Sequence, residues 1–234
     1  MSYVICLPFV YEPYFDACMA TIDWSLREHM LLIDNTQTNI GIMAAHNLGI
    51  DEMRRRNADW LVIMSAAVRF GPTGGRDFMQ LLEDHSDYYV IHAASENVVG
   101  GKWFESEEHG HNEVFGWHLT AFRNHVFDNV GRWDENFTPY GLDDIDLSLR
   151  LQKHYKHAPG WDTLPCDVHD TTMAHSINFG GVESPYAPKA EYFTEKWGRT
   201  PDDWQNMGYE HPFNDPNNTL AYWPSASNGG RWDA

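Results

Sequence analysis

The sequence MLLIDNTQTNIGIMAAHNLGIDEMRRRNADWLVIM, residues 30–64, decides the fold because it places one helical pattern between two short apolar runs. The runs MLLID and WLVIM have the length and apolar character of buried strands. Between them, small and apolar residues recur at helical spacing, which predicts one helix with a buried face. Those residues are Ile42, Ala45, Gly49 and Met53. A strand–helix–strand unit of this kind predicts a right-handed crossover between two parallel strands.

The same alternation continues on both sides of this unit. Upstream, residues 3–9 (YVICLPF) predict a strand and residues 13–26 (PYFDACMATIDWSL) predict a helix. Downstream, residues 65–75 predict a loop, residues 76–85 (RDFMQLLEDH) a helix and residues 88–94 (YYVIHAA) a further strand. The chain is therefore predicted to be an α/β protein with a mostly parallel sheet flanked by helices.

The second half of the chain departs from this regular alternation. Residues 97–113 are polar and contain glycines, which predicts a loop over one edge of the sheet. Residues 143–155 (DDIDLSLRLQKHY) predict a helix, and from residue 184 the chain becomes rich in Pro, Asn, Trp and Gly. We therefore predict a single domain over residues 1–183, with residues 184–234 as a partly irregular extension that wraps on it.

The composition predicts a globular protein without a membrane helix or a signal peptide. With 234 residues, 42% of them hydrophobic, the chain can bury one sizeable core. It has no apolar run of the roughly 18 residues that a membrane helix needs, and its start lacks the basic region of a signal peptide. Cys6, Cys18 and Cys166 lack metal-ligand spacing and predict buried thiols in a reducing compartment. These features predict a cytoplasmic protein.

The net charge of −18 argues against DNA or RNA as a general partner. Nucleic-acid binding draws on clustered Lys and Arg that neutralise phosphates. The one basic cluster in the sequence, Arg54 to Arg56, falls at the C-terminal end of a predicted helix, where cations suit the helix dipole. A nucleic acid is therefore expected only as a locally held acceptor.

The segment RWDENFTPYGLDDIDLSLR, residues 132–150, contains five carboxylates in a chain that is already acidic. Asp143 and Asp144 precede the apolar residues of the predicted helix, which places both at its N-terminal end. One interpretation is structural, since Asp at a helix start caps free N–H groups and suits the dipole. The other is chemical, since a carboxylate held beside an acceptor hydroxyl can act as a general base. Asp146 points elsewhere and is predicted to support the helix.

Four motifs in this order resemble the inverting nucleotide-sugar glycosyltransferases with a GT-A fold, the large family two-like group. They are PFVYEPYFDACMATI, DNTQTNIGIMAAHNLGI, VGRWDENFTPYGLDDIDLSLRL and YFTEKWG. The resemblance covers about residues 3–198. It is most specific in the acidic segment, which is similar to the family's pattern Gly-(Gly/Arg)-(Phe/Trp)-Asp-Glu…(Glu/Asp)-Asp-x-Asp-Leu-x-x-Arg. It implies a GT-A-like, Rossmann-related fold with a mixed, mostly parallel sheet.

The resemblance also implies an activity. A sugar would pass from a UDP-, GDP- or TDP-sugar to an acceptor hydroxyl with inversion, with Asp144 as the general base and Asp143 in contact with the acceptor. The acceptor would be a glycan, a protein or a modified base, as with small bacterial or phage-encoded transferases. Trp117, His118 and Trp133 are predicted to bind the acceptor sugar; the alternative for each is a place in the core.

The nucleotide is predicted to bind at the carboxyl ends of the strands, because ligands of parallel sheets lie there. Asp34 follows the second strand and could accept hydrogen bonds from a uracil ring or a ribose; the alternative is a simple Asx turn. Asn47 either ties its helix to the nucleotide turn or bonds to backbone. Further predicted nucleotide contacts are Pro8, Phe9, Thr38, Ala67 and Arg69.

One departure from the family pattern concerns the metal. The third strand usually ends in Asp-x-Asp, whose last carboxylate binds Mn or Mg, whereas this chain has Ser65-Ala66-Ala67. Fixed cations could replace the metal, with Arg69, Arg76 and Lys102 as candidates. Alternatively, other ligands could hold it, with His175 at the family's usual late position. The third explanation is that the chain binds a nucleotide sugar without turning it over.

Two rival functions follow. The first is a catalytically degenerate module that binds a nucleotide sugar or a glycan, which the missing Asp-x-Asp favours and the acidic segment opposes. The second is a nucleotidyltransferase, which shares the nucleotide-binding half of the sheet. That class needs a basic Gly-rich loop for triphosphate at the first strand, and the sequence has none there.

Overall fold

The computed structural model describes residues 1–94, 103–106, 110–113, 118–155, 161–165, 168–170 and 186–202. The strands are β1 Tyr3–Phe9, β2 Met30–Asp34, β3 Trp60–Met64, β4 Val68–Phe70, β5 Val90–Ala94, β6 Trp103–Ser106, β7 Gly110–Glu113, β8 Leu119–Arg123, β9 Trp161–Pro165 and β10 Val168–Asp170. The helices are α1 Glu12–Met19, α2 Trp24–Arg27, α3 Ile42–Arg56, α4 Gly74–Asp84, α5 Val126–Val130, α6 Asp143–Tyr155 and α7 Tyr186–Trp197, with a 3₁₀ turn at Glu135–Phe137.

The central sheet has six strands in the order β2-β1-β3-β8-β5-β9. Strand β8 is antiparallel to both of its neighbours, and the other pairs are parallel. This architecture confirms the predicted α/β fold with a mixed, mostly parallel sheet. Because β1, β2 and β3 are adjacent and run in the same direction, their carboxyl ends meet at one edge, with Phe9 in register with Asp34.

The two faces of the sheet build two halves of the core, because side chains alternate along each strand. Val4 and Cys6 of β1 pack with residues of α3, α5, α6 and α7 on one face. Ile5 and Leu7 pack with residues of α1, α2 and α4 on the other. Strand β3 is buried along its whole length, as expected for a strand that helices cover on both faces.

Helix α3 lies close to the sheet because Gly49 has no side chain. A Cβ atom at this position would lie 3.0 Å from the Cβ of Cys6 and 3.1 Å from the Cδ1 of Leu61, which is too close for either neighbour to stay in place. The predicted buried stripe of α3 is confirmed for Ala45, Gly49 and Met53. This packing fixes the position of the helix that forms one wall of the candidate site.

The structure differs from the predicted elements in three places. The helix predicted over residues 13–26 is two helices, because Thr21 donates its hydroxyl to the carbonyl oxygen of Cys18 and Asp23 caps α2 through the N–H of Ser25. The loop predicted over residues 65–75 contains β4, which pairs with β10. The loop predicted over residues 97–113 contains the hairpin of β6 and β7.

Two expectations from composition can be compared with the described residues. Cys6 and Cys18 are buried free thiols, and burial raises the pKa of each to about 12. Cys166 lies outside the described residues. Within the described ranges, no helix is both long and apolar enough to cross a membrane.

Candidate active site

The turn that begins α6 depends on glycine. Gly141 has a φ of 102° and Leu142 a φ of 68°, backbone conformations that L side chains rarely adopt. The N–H of Gly141 donates to Oδ1 of Asp143 at 2.9 Å, and the N–H of Asp146 donates to the carbonyl oxygen of Leu142 at 2.9 Å. These bonds fix the first turn of α6 and with it the positions of Asp143 and Asp144.

Asn47 holds the acidic segment against α3. Its Oδ1 accepts a hydrogen bond from the N–H of Trp133 at 3.0 Å, and its Nδ2 donates to the carbonyl oxygen of Trp133 at 3.0 Å. The same Nδ2 donates to Oε1 of Glu135 at 2.7 Å. Of the two roles expected for Asn47, bonding to backbone is the one observed, and that backbone belongs to the acidic segment.

A cavity of about 220 Å³ opens where α3 and the start of α6 meet the carboxyl ends of β1, β2 and β3. Its walls are mostly apolar and aromatic, with a few polar groups, which is the usual character of a small-molecule site. The described residues that line it are Pro8, Phe9, Val10, Tyr11, Asn35, Asn39, Ile42, His46, Met64, Ser65, Ala66, His118, Pro139, Tyr140, Gly141, Asp143 and Asp144.

Asp143 and Asp144 differ in their exposure to this cavity. Asp144 is half-buried, whereas Asp143 is only 7% exposed. Burial, together with the neighbouring charge of Asp144, raises the pKa of Asp143 to about 7. A carboxyl group with such a pKa changes its protonation state near neutral pH, which is the range in which acid–base catalysts work.

The other two aspartates of the acidic segment, Asp134 and Asp146, are buried in a network of charges. Lys196 Nζ donates to Asp134 Oδ2 at 2.6 Å and to Asp146 Oδ1 at 2.8 Å. Arg150 Nε donates to Asp146 Oδ2 at 2.9 Å, and Trp197 Nε1 donates to Asp146 Oδ1 at 3.0 Å. Burial alone would raise the pKa of Asp146, but the charges of Lys196 and Arg150 hold it below its usual value. The prediction that Asp146 supports the helix is confirmed.

The structure brings together five of the residues predicted for the site. They line the cavity from three different parts of the chain: Pro8, Phe9, His118, Asp143 and Asp144. The two ends of this set are separated by more than a hundred residues in sequence, so the fold and not local spacing places them side by side. Their individual roles stay predictions.

Asp34 and Thr38 lie outside the lining of the cavity. Oδ1 of Asp34 accepts hydrogen bonds from the N–H of Thr36 at 2.8 Å and from its hydroxyl at 2.6 Å, which is the Asx turn considered as the alternative. These bonds lower the pKa of the exposed Asp34 carboxyl. Thr38 is exposed nearby in sequence. A contact of either residue with a nucleotide stays a prediction.

Ala67 and Arg69 also lie outside the lining. Ala67 is buried, and its N–H donates to the hydroxyl of Ser65 at 3.1 Å. Arg69 donates from Nη1 to the carbonyl oxygens of Ala66 and Val68, at 2.7 Å in each case. Because Ala66 lines the cavity, Arg69 supports its wall from outside.

The structure corrects the role predicted for Trp133. Its side chain is fully buried and packs against Phe122, Phe127 and His46, with ring centroids 5.5, 5.3 and 4.8 Å apart. A ring enclosed in this way has no face left for a sugar, so Trp133 belongs to the core. Trp117, the other predicted aromatic contact, lies outside the described residues.

The residues at the end of β3 do not fit a divalent ion. The hydroxyl of Ser65 is engaged with the Ala67 N–H, and the methyl groups of Ala66 and Ala67 cannot act as ligands. Across the described ranges, no three His, Cys, Asp or Glu side chains are grouped as a metal site would require. Two further candidates lie outside the described residues: His175, predicted as a late metal ligand, and Lys102, predicted as a replacement cation.

Asn35 and His46 line the cavity and were missed in the sequence. Within the described part of the chain, neither Oδ1 of Asn35 nor Nδ1 of His46 has a hydrogen-bond partner, and both residues are buried. Burial lowers the pKa of His46 to about 3 and keeps its ring neutral. A signal existed for both: Asn35 directly follows a predicted strand end, and His46 interrupts the apolar side of a predicted helix.

Comparison with known proteins supports the fold. No protein-family model and no curated protein matches the sequence. A crystal structure of S. aureus TarS matches with a TM-score of 0.52 and 11% identity, over 87% of this chain and 45% of TarS. The structure of TarS residues 1–349 in complex with UDP matches with a TM-score of 0.47 and 11% identity, over 70% of this chain and 58% of that one. The structure of A197 from STIV matches with a TM-score of 0.41 and 12% identity, over 64% of this chain and 78% of A197.

The chain thus spans about half the length of the TarS structures that it matches. At such identities the likeness concerns the fold alone. Together with the strand order and the flanking helices, the match to TarS shows that the chain has a single-domain, GT-A-like fold.

Proposed function

We propose that the protein is a glycosyltransferase that moves a sugar from a nucleotide-sugar donor to an acceptor hydroxyl with inversion. The observation that carries this proposal is the shared cavity: Asp143 and Asp144 line it together with the ends of β1, β2 and β3. Ligands of open α/β sheets bind at that edge. TarS, whose fold this chain resembles, binds UDP in one of its crystal structures, which makes UDP-sugars the first donors to test.

Asp144 is proposed as the general base. Its half-buried carboxylate lines the cavity from the first turn of α6, where the helix holds it rigidly. The acceptor hydroxyl gives its proton to this carboxylate while the acceptor oxygen forms a bond to the anomeric carbon. The bond between that carbon and the diphosphate breaks on the opposite side, and the nucleoside diphosphate leaves. Attack opposite the leaving group inverts the anomeric centre.

Asp143 is proposed to bind the acceptor beside the base. Because its pKa lies near neutrality, it can accept a hydrogen bond when ionised or donate one when protonated. The N–H of Gly141 fixes one of its oxygens at 2.9 Å. His118, which lines the same cavity, is proposed to share this role.

The leaving diphosphate is proposed to be stabilised by fixed cations. The residues at the end of β3 do not fit the Mn or Mg ion that the family resemblance implies, so the proposal routes no step through a metal. Arg69 and Arg76 are the described candidates, and Arg69 contacts the wall of the cavity from outside through the carbonyl oxygen of Ala66. Oriented cations can act this way in a site that excludes water.

A transfer and hydrolysis assay across UDP-, GDP- and TDP-sugars, with and without EDTA, tests the proposal. We expect turnover with one nucleotide series that persists in EDTA. Asp144→Asn should lower the rate by about 10²–10⁴-fold, since one positioned base contributes that much. Asp128→Asn is the matched control, because the Asp128 side chain is 66% exposed on α5. Turnover by Asp144→Asn at nearly the wild-type rate would remove the base from the mechanism.

A binding module without chemistry is the second candidate. The observation that favours it is the replacement of Asp-x-Asp by Ser65-Ala66-Ala67. Such a module would gain thermal stability with a nucleotide sugar, because a ligand that binds only the folded state stabilises it, and yet release no product. Release of pyrophosphate from a nucleoside triphosphate in the same assay would instead indicate a nucleotidyltransferase.

A further inference from the structure

We propose that the cavity selects an uncharged sugar over a sugar acid, with Asn35 and His46 as the residues that hydrogen-bond to its hydroxyls. This inference rests on the proposed function and names the class of substrate that the site accepts. Three observations carry it: the charge of the lining, the buried carbonyl of Asn35 and the buried ring of His46.

The charge of the lining is negative. Asp143 and Asp144 line the cavity, and the described lining contains no Lys or Arg. Two cations lie close in the fold, but Lys189 donates to the carbonyl oxygen of Tyr140 and Arg69 to that of Ala66, both from outside the lining. A carboxylate on the sugar would therefore be desolvated against the Asp144 carboxylate, and against that of Asp143 when it is ionised, which is unfavourable.

Asn35 provides, through its side chain, a hydrogen-bond acceptor in the lining of the cavity. It is 6% exposed, and its backbone N–H donates to the carbonyl oxygen of Phe9 at 2.8 Å, which fixes the residue at the end of β2. Its Oδ1 is buried without a hydrogen-bond partner among the described residues. An unsatisfied buried acceptor destabilises a protein, so a ligand that donates a hydrogen bond here gains affinity.

His46 presents a neutral ring. It is 1% exposed, one helical turn after Ile42, and its Nδ1 has no hydrogen-bond partner within the described ranges. Because burial lowers its pKa to about 3, the ring stays uncharged in any ordinary buffer. The neutral ring can donate a hydrogen bond to a hydroxyl or accept one from it, but it cannot neutralise the charge of a carboxylate.

Three groups in the cavity can accept hydrogen bonds from a ligand: the carboxylates of Asp143, when ionised, and Asp144, and Oδ1 of Asn35. The carboxylates and Asn35 Oδ1 accept hydrogen bonds, and His46 offers a neutral nitrogen. Sugar hydroxyls supply donors at every ring position, whereas a carboxylate supplies acceptors alone. The site therefore matches a neutral pyranose and disfavours a uronate.

Calorimetric binding of matched donors tests the selection. UDP-glucose and UDP-glucuronate differ only at C6, where a hydroxymethyl group replaces a carboxylate, and UDP-galactose with UDP-galacturonate repeats the comparison. We expect the neutral sugar of at least one pair to bind at least about tenfold more tightly than its acid, since like charges brought together are penalised by several kcal/mol. If the protein prefers GDP, GDP-mannose and GDP-mannuronate take their place.

Variants identify the residues responsible. Asn35→Ala and His46→Gln should each reduce the advantage of the neutral UDP-sugar over UDP by about five- to tenfold, because each loses one hydrogen bond to the sugar. Leu48→Ala, at an exposed position of α3, should leave that ratio unchanged. Thermal unfolding of every variant shows whether it is folded.

The outcomes separate this inference from the proposed function. Equal or tighter binding of the acids by a protein that transfers sugar would overturn the selection and leave the transferase standing. A ratio unchanged in both folded variants would overturn the roles of Asn35 and His46. If no UDP-, GDP- or TDP-compound binds, the proposed function falls, and the selection falls with it.

Discussion

The acidic segment contains two pairs of aspartates that the fold treats in opposite ways. Asp134 and Asp146 are buried against Lys196 and bonded to it directly. Asp143 and Asp144 line a cavity whose described lining contains no Lys or Arg. The pKa of Asp146 is therefore held down, while that of Asp143 is raised. The same residue type within one stretch thus stabilises the fold in one pair and faces a cavity in the other.

This contrast answers why an acidic chain concentrates more negative charge here. The buried pair locks α6 to α7 and to the 3₁₀ turn, because Lys196 bridges carboxylates twelve residues apart in sequence. The lining pair can then be held close together, since these contacts fix the rest of the segment. A rigid support is what a preorganised catalytic group requires.

Substituting one aspartate of each pair tests directly whether the two pairs have different roles in stability. Asp146→Asn should destabilise the protein by about 3–5 kcal/mol, because removal of one partner leaves buried cations uncompensated. Asp144→Asn should change stability by at most about 1 kcal/mol, the size of a helix-dipole interaction. Urea unfolding of both variants measures the difference. Equal destabilisation would show that the two pairs are not distinct.

Substitution of Asn47 tests whether its side chain holds the acidic segment against α3. Asn47→Ala should lower the free energy of unfolding by about 2 kcal/mol, because the buried N–H and carbonyl of Trp133 both lose their partner. Leu48→Ala on the exposed side of the same helix should stay within about 0.5 kcal/mol of wild type. Chemical unfolding is the measurement. If the Asn47 variant were as stable as the control, the segment would be held by other contacts.

An effect with the opposite sign is expected at Asp143. In the unfolded chain its carboxyl ionises near pH 4, whereas in the folded protein it stays protonated up to about pH 7. The folded state therefore loses stability through this group as the pH rises from about 4 to 7, and the full loss is present above that range. The asparagine of an Asp143→Asn variant cannot ionise, so the variant should regain this lost stability at pH 8. For each kcal/mol regained in the free energy of unfolding, Tm should rise by ~2–4 °C.

At pH 3 the same variant should melt close to wild type, since the Asp143 carboxyl is then largely protonated in both the folded and the unfolded chain. Thermal scans at the two pH values provide the check, with Asp128→Asn as the exposed control. A Tm difference from wild type that does not change with pH would mean that burial does not perturb Asp143.

Much of the fold could be predicted from the sequence because its signals are local. The bounds of β1, β2, β3 and α6 are confirmed residue for residue, since each is a short apolar run or a helical stripe between clear turns. The antiparallel direction of β8 and the pairing of β4 with β10 were not predicted. Such pairings depend on contacts between distant segments, which no local pattern records.

The candidate site could be predicted only in part for the same reason. The order of motifs brought Asp143 and Asp144 to attention, but the direction of a side chain in α3 depends on what packs against it. Trp133 of the acidic segment is buried in the core against His46, and His46 lines the cavity. Residue type alone suggested the reverse for Trp133 and gave no prediction for His46.

The bridge made by Lys196 also bears on where the chain can be shortened. A chain ending at residue 183, the boundary predicted for the domain, would keep all the strands of the central sheet. It would nevertheless lack α7 and leave two carboxylates in the interior without their shared ammonium group. We expect such a fragment to be recovered folded only when a peptide spanning α7 is supplied in trans.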